Sequence, residues 1–322
     1  MGVNISRYRD RIDKEFEVEV VTPMFLGGAN VNDAELRSPS LKGALRFWWR
    51  ATCGTQDIGK LKKKEGEIFG DTSTKSALFL RIEKKGRIIV NKELSQRGET
   101  FNIHGRPVHI LDYLAYGTHK YEKGKGNRYV KEHISPGNRF IVKIVFQKKY
   151  EKDVLGALAW MVHYGGMGAR SRNGFGSIST QIERPNIKSK LDLSGYTALS
   201  NHSRLFRFST KKSWHEAHSE AGLAYRNARL SIENLHQYDR RKLISAPITV
   251  NKRNLANLER HAKPYFVHIN KLESDKYQGQ ILYMPYRYLF GRPDFDQKKF
   301  EKYQKACEDI NHQLEEISRG AQ

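Results

Sequence analysis

Residues 15–22 read EFEVEVVT, with Phe16, Val18 and Val20 on one side of an extended chain and Glu15, Glu17 and Glu19 on the other. Such a period of two is that of a strand with one buried face, and it commits the chain to a sheet that needs cover on one side only. The following residues supply that cover. Ser38-Pro39 opens a helix over 39–52, in which Leu41, Ala44, Leu45 and Trp48 recur at helical spacing. Residues 77–82 and 139–147 read as two further strands, the second with Phe140, Val142, Ile144 and Phe146 on one face. A second helix has Glu151 and Asp153 in its first turn, carries Val154, Leu155, Leu158, Met161 and Val162 as its stripe, and stops at Gly165-Gly166. A last strand covers 174–182.

The order strand, helix, strand, strand, helix, strand is that of the split βαβ unit of ferredoxin-like and RRM-like domains. Between its second and third strands lies an insertion, residues 84–136, longer than hairpin connections are and so expected to be functional, partner-facing or partly disordered. Residues 186–203 lack periodicity and read as a linker. From 204 the pattern resumes: a strand at 204–210, a helix at 214–235, strands at 264–272 and 280–289, and a helix at 294–317 with Phe300, Tyr303, Cys307, Ile310, Leu314 and Ile317 on one face. The fold class is therefore α+β. Two tandem βαββαβ domains are expected, at 1–185 and 204–322, the second degenerate and lacking its final strand.

Charge narrows the partner. The 57 Lys and Arg outnumber the 35 Asp and Glu by 22, a positive field that attracts polyanions. Cys53 and Cys307 stand far apart with no CxxC, so neither a disulfide framework nor a cysteine zinc cluster is expected, and a reducing, cytoplasmic setting is. No stretch approaches the ~18 apolar residues of a membrane span, and the beginning lacks a signal-peptide core. No membrane partner is expected; Met1, Gly2 and Ser6 fit a myristoylation pattern too short to carry weight.

Two segments carry the chemistry. Residues 165–177, GGMGARSRNGFGS, hold five Gly, two Arg and no acid. Glycines permit close backbone approach and leave amides available to phosphates, and Arg170 and Arg172 add planar donors. A glycine-rich turn with incidental basic residues is the plainer alternative, and the loop fits neither a Walker A nor a dinucleotide fingerprint. On the first helix, Lys42, Arg46 and Arg50 follow at i, i+4 with Arg37 just ahead, a basic face with no acid on the helix to neutralise it. Trp48 suits the core better than a stacking platform, and Trp49 fits either.

The block Glu35 to Ala51, ELRSPSLKGALRFWWRA, then Ile68-Phe69-Gly70, then the glycine loop, resembles in that order the RAMP proteins of CRISPR systems. More narrowly, it looks like the first-numbered RAMP subunits of type III-B (Cmr) effector complexes, and the detail of the likeness covers residues 15–182. The resemblance implies tandem ferredoxin-like domains and a subunit that holds single-stranded guide and target RNA, near the 3′ end of the guide, among other RAMP subunits. By position it implies RNA contacts from Arg37, Lys42, Arg46 and Arg50, and from Gly165, Gly166, Gly168, Arg170, Ser171, Arg172, Gly174, Phe175 and Gly176. Cleavage in that family is attributed to another subunit, so no catalytic residue, metal or cofactor is implied.

The insertion adds Tyr113, Tyr116, Tyr121 and Tyr129 interleaved with Lys120, Lys123, Lys125, Arg128 and Lys131. That composition suits unpaired bases and their backbone, or a loop that orders against a neighbouring subunit. Some relatives of the family are metal-independent RNA endonucleases with a His as general acid or base. His104, His109, His119, His133 and His163 are candidates by type, and no spacing selects a pair. His215-Glu216-Ala217-His218 has its histidines three apart rather than four and reads as a helix start. A general single-strand binder outside any complex shares the charge but has no need of these motifs.

Overall fold

The computed structural model describes residues 10–103, 105–234, 237–245, 249–250, 253–254, 261, 263–288 and 295–320. It is a mixed α/β structure with antiparallel sheets, divided into two compact units: residues 1–95 with 115–186, and residues 96–114 with 187–322. His104, the Met1-Gly2 pattern, and the expected ends at 235, 289 and 294 lie outside the described residues.

The first unit contains β1 (Arg11–Val20), α1 (Ser38–Thr52), α2 (Ile58–Phe69), β2 (Phe79–Lys84), β3 (Arg139–Gln147), α3 (Glu151–Tyr164) and β4 (Ile178–Ser179). Its sheet runs β4-β1-β3-β2, every pair antiparallel. Register follows the alternation in the sequence: Phe16 pairs with Val142, Val18 with Phe140 and Leu80 with Ile144 on the helix-covered face. The opposite face is a ladder of ion pairs. Arg139 reaches Glu17 and Glu19 at 3.4 and 3.1 Å, and Lys143 reaches Glu15 and Glu83 at 3.4 and 3.1 Å. The three glutamates of β1 are thus matched by cations from β3.

Helix α1 buries Leu41, Leu45, Trp48, Trp49 and Ala51. Trp48 stacks on Trp160 of α3 at 6.2 Å, and the Trp49 indole donates to Asp153 at 2.8 Å. Both tryptophans are therefore core residues, and Asp153 holds a hydrogen bond as well as a first-turn position. The sequence pattern gives no sign of α2. Asp57 caps it by accepting from the Lys60 amide at 3.0 Å, and Gly70, at φ +79°, ends it. Its buried stripe is Leu61, Glu65, Ile68, so a carboxylate interrupts the apolar period.

The second unit contains β5 (Arg204–Lys211), α4 (Trp214–Ser231), β6 (Tyr265–Glu273), β7 (Lys276–Tyr283) and α5 (Gln297–Gly320), with the sheet ordered β5-β7-β6. Ser213 caps α4 by accepting from the Glu216 amide at 3.3 Å, the ordinary helix start expected for the His215-Glu216 segment. Strands β6 and β7 form a hairpin turning at Ser274-Asp275, so β7 lies earlier than the 280–289 expected; its first half, KYQGQ, is too polar to read as a strand. The Tyr265 hydroxyl donates to the Cys307 carbonyl and to Asn311 Oδ1, both at 3.1 Å, tying this sheet to α5. Burial pushes the Cys307 thiol up to about 12.

Two expectations change here. The insertion does not stay with the first domain: residues 96–114, a hairpin (Thr100–Ile103 with Arg106–His109) and a short helix (Ile110–Leu114), belong to the second unit. There Ile110 and Leu114 pack over Gly222 of α4, and the Arg226 guanidinium lies 3.7 Å over the Phe101 ring. Residues 187–203 likewise pack into the second unit, with the Arg287 amide donating to Ser194 at 2.7 Å and Leu193 buried.

Gly176 has φ +69°, and a Cβ there would run into the Met167 carbonyl oxygen. Gly176→Ala is expected to cost about 3 kcal/mol and lower the melting temperature by several degrees; an unchanged melting curve would show that the loop carries no packing constraint.

Candidate nucleic-acid interface

The glycine loop and the basic helix, far apart in sequence, are brought together. Gly165 ends α3 directly against Trp48, where a Cβ would collide with the indole nitrogen. Arg172 places its guanidinium 5.4 Å over the ring of Phe47, on the face of α1 next to the basic one. Arg170 adopts φ +62°, a left-handed backbone uncommon outside glycine, and its side chain lies against Gly117 at the base of the 119–129 hairpin. Arg170 and Gly168 are exposed, and Ser171 and Arg172 are half-exposed.

Several of the loop's amides are engaged within the fold, so the glycines do not leave all of them available. Met167 N bonds Gly176 O at 2.9 Å, Ala169 N bonds Phe25 O at 2.8 Å, and Gly176 N bonds Pro23 O at 3.0 Å. The Thr22 hydroxyl donates to Gly174 O at 2.7 Å and accepts from Ser177 N at 2.9 Å, all buried. Phe175 is 0% exposed and meets Phe25 edge-on at 5.3 Å, so its ring serves the core rather than a base. Gly165, Gly166, Gly174 and Gly176 are buried too. Of the loop residues expected to touch RNA, Gly168, Arg170, Ser171 and Arg172 are at least half-exposed.

The basic helix is partly neutralised from outside itself. Arg46 Nε and Arg50 Nη1 each donate to Glu65 Oε1 of α2 at 2.8 Å, and that carboxylate is nearly buried. Lys42 Nζ donates to Ser76 Oγ at 3.0 Å, and burial together with Arg46 lowers its pKa. The face is therefore built and not merely solvated. It keeps a net positive charge, and each arginine uses one of its five N–H donors on Glu65. Arg37 stands half-exposed at the N-cap of α1 with no capping hydrogen bond, and no acid occupies the first turn.

The tyrosines of the insertion divide. Tyr116 and Tyr121 are 72% and 70% exposed, whereas Tyr129 is buried and stacks on Phe25 at 6.0 Å. Tyr113 belongs to the second unit, edge-on to Phe101 at 5.6 Å. Arg128 pairs with Glu93 at 3.8 Å and Lys125 with Glu122 at 3.9 Å, both exposed.

The candidate histidines among the described residues each have a separate neighbour. His163 Nε2 lies 2.9 Å from Ile182 O, and burial lowers its pKa; His109 Nδ1 lies 3.1 Å from Gly98 O; His119 packs on Tyr129 at 5.1 Å. His133 is 3% exposed against Phe25 at 5.5 Å, and burial pushes its pKa down to about 4. Among the described residues, no three His, Cys, Asp or Glu gather as metal ligands, and no helix is long and apolar enough to cross a membrane.

Residues 17–179 match the RAMP superfamily model, a span holding both the basic helix and the glycine loop. The chain belongs to the RAMP superfamily. It is 30% identical over 182 residues to CRISPR system Cmr subunit Cmr1-2 of Pyrococcus furiosus, covering 52% of this chain and 95% of that protein. It is 31% identical over 171 residues to Cmr1-1 of the same organism, covering 51% of this chain and 46% of that one. Among solved structures, the apo form of P. furiosus Cmr1 superposes with a TM-score of 0.55 at 19% identity, covering 94% of this chain and 97% of that one. A chain of the type III-B Cmr-beta complex bound to cognate target RNA gives 0.53 at 12% identity, covering 95% and 100%. At these identities the two structures speak to fold.

Two outcomes follow from this geometry. Arg46→Gln with Arg50→Gln strands the Glu65 carboxylate and is expected to cost about 1–3 kcal/mol in thermal denaturation, partly restored by adding Glu65→Gln. A purely solvated face would leave the melting temperature unchanged. His133 is neutral in the folded chain down to pH about 4, while the unfolded chain takes up its proton near pH 6.5. Its contribution is therefore full above about pH 6.5 and lost as pH falls toward 4. His133→Phe is expected to remove, on the order of 3 kcal/mol, that part of the acid slope; parallel wild-type and variant stability curves between these pH values would refute the assignment.

Proposed function

We propose that this chain is a Cmr1-type, non-catalytic RNA-binding subunit of a type III-B CRISPR effector complex, holding single-stranded guide or target RNA near the 3′ end of the guide. Its partners are that RNA and the other RAMP subunits. The observation that carries the reading is the seating of the glycine loop on α1 inside the family-matched span, which sets Arg172 over Phe47, on the helix that carries Lys42, Arg46 and Arg50. Phosphates are taken by Gly168, Arg170, Ser171 and Arg172 of the loop and by the basic face, while Phe47, Tyr116 and Tyr121 are placed to stack on bases. Base pairing between guide and target supplies the sequence specificity.

The β4-β1-β3-β2 order supports a ferredoxin-like first domain. In the second, β5-β7-β6 with α4 and α5 is that arrangement without its fourth strand. A domain boundary near residue 186 suits both, with 96–114 assigned to the second domain. The ion-pair ladder on the outer face of the first sheet argues against RNA lying there as it does on an RRM, because Glu15, Glu17 and Glu19 would meet the phosphates. The separate surroundings of His109, His119, His133 and His163 favour binding over cleavage.

Arg170→Ala with Arg172→Ala is expected to weaken binding to end-labelled single-stranded RNA irrespective of sequence, and to flatten the log-log salt dependence by about 0.7 for every phosphate no longer neutralised. Unchanged slope and affinity would remove the loop from the interface. Intact RNA on the denaturing gel, with or without EDTA, is the companion result; discrete EDTA-resistant cuts abolished by one His substitution would make the chain a nuclease.

A further inference from the structure

The outer surface of α2 carries a ridge of lysines that the interface above does not use. Lys60, Lys62, Lys63 and Lys64 are all exposed, while Leu61, Glu65, Ile68 and Phe69 are buried. Two contacts join this helix to the start of α3: Lys64 Nζ to Asp153 Oδ1 at 2.8 Å, and the Tyr150 hydroxyl to Glu67 Oε2 at 3.0 Å. They bring the exposed Lys148, Lys149 and Lys152 alongside. Lys60 pairs with Asp57 at 3.7 Å, and Lys149 lies 4.7 Å over the Tyr150 ring. Lys62, Lys63, Lys148 and Lys152 make no ion pair or side-chain hydrogen bond among the described residues. Asp57, Glu67, Glu151 and Asp153 are the acids of the same surface, so cations exceed them.

Several like charges held together in excess of the acids beside them favour a polyanion, and the compact ammonium group acts on phosphate as a point charge without reading a base. A membrane surface is a poorer fit, since Ile58 is the exposed apolar residue on this helix and no apolar face stands ready to insert. A protein partner fits poorly too, because interface cores are depleted of lysine and enriched in aromatics. We infer that the α2 ridge, with Lys148 and Lys152, tracks the sugar-phosphate backbone of an RNA strand that extends beyond the glycine-loop contacts. This second contact surface rests on the RNA-binding function proposed above.

The test uses the full chain with Lys62→Gln, Lys63→Gln, Lys148→Gln and Lys152→Gln combined, against oligouridines of about 8 and about 30 nucleotides, one within and one beyond the span of a single binding surface. For the long RNA the log-log salt slope is expected to flatten by roughly 0.7 for each phosphate that the ridge ceases to neutralise, with at least a tenfold loss of affinity at low salt. The short RNA is expected to bind as before, while Arg170→Ala with Arg172→Ala weakens both. An unchanged slope for the long RNA overturns the ridge, as does wild-type binding that gains nothing with length. If the arginine variant binds normally and the lysine variant does not, the loop reading falls and the ridge stands. Wild-type binding to phosphatidylserine vesicles, lost in the lysine variant while long-RNA binding is kept, would assign the ridge to lipid and overturn it. If the fourfold variant melts early, Lys62→Gln with Lys63→Gln is expected to give half the slope change at an unchanged melting temperature.

Discussion

The backbone at Gly165 lies so close to the Trp48 indole that a methyl group has no place between them. Close packing of this kind transmits position, because neither partner can shift without opening a void or a clash. Trp48 is in turn stacked on Trp160 and set by the register of α1, so the glycine loop inherits its placement from the core of the first unit. Arg172 over Phe47 and Arg170 beside Gly117 are the outward expression of that seating. The loop is rigid at its ends and offers side chains only at its apex.

This reverses the usual account of a glycine-rich anion loop. Gly165 and Gly176 make room for Trp48 and Met167, the exposed Gly168 makes room for the Phe25 carbonyl, and several of the loop's amides bond to carbonyls of the same fold. Charge at the surface comes from arginines held by packing. Glu65 plays the matching part on α1: one nearly buried oxygen fixes two guanidiniums whose remaining donors point away from it. A planar donor held in advance loses less freedom on meeting a phosphate than a floating one.

Strand β1 and the cover helix α1 were legible because their burial is one-sided and their periods are clean, and α3 by its first-turn acids and closing glycines, although its burial runs unbroken from Ala157 to Val162. Helix α2 was hidden by Glu65, a carboxylate in an apolar stripe whose meaning depends on Arg46 and Arg50 from another element. Strand β7 was displaced because its first half is polar on both sides. At the candidate interface Phe175 could not be told from an exposed aromatic by sequence: its burial is decided by Phe25, which is distant in sequence. Spacing reports the period of one element and not what another lays across it.

Residues 96–114 give the chain an unusual order of completion. The polypeptide leaves the first unit at Ser95, contributes Ile110, Leu111 and Leu114 to the second, and returns at Ala115 to finish the first. A chain emerging from the ribosome therefore makes this apolar segment well before α4, the helix whose Gly222 it covers, exists. Until residue 222 and its neighbours are synthesised, those three side chains lack the helix they pack against, and their apolar content is still in water. Contacts of such long sequence separation slow folding and lengthen exposure to aggregation. The second unit cannot be had by cutting the chain at a single point, because part of it is encoded in the middle of the first.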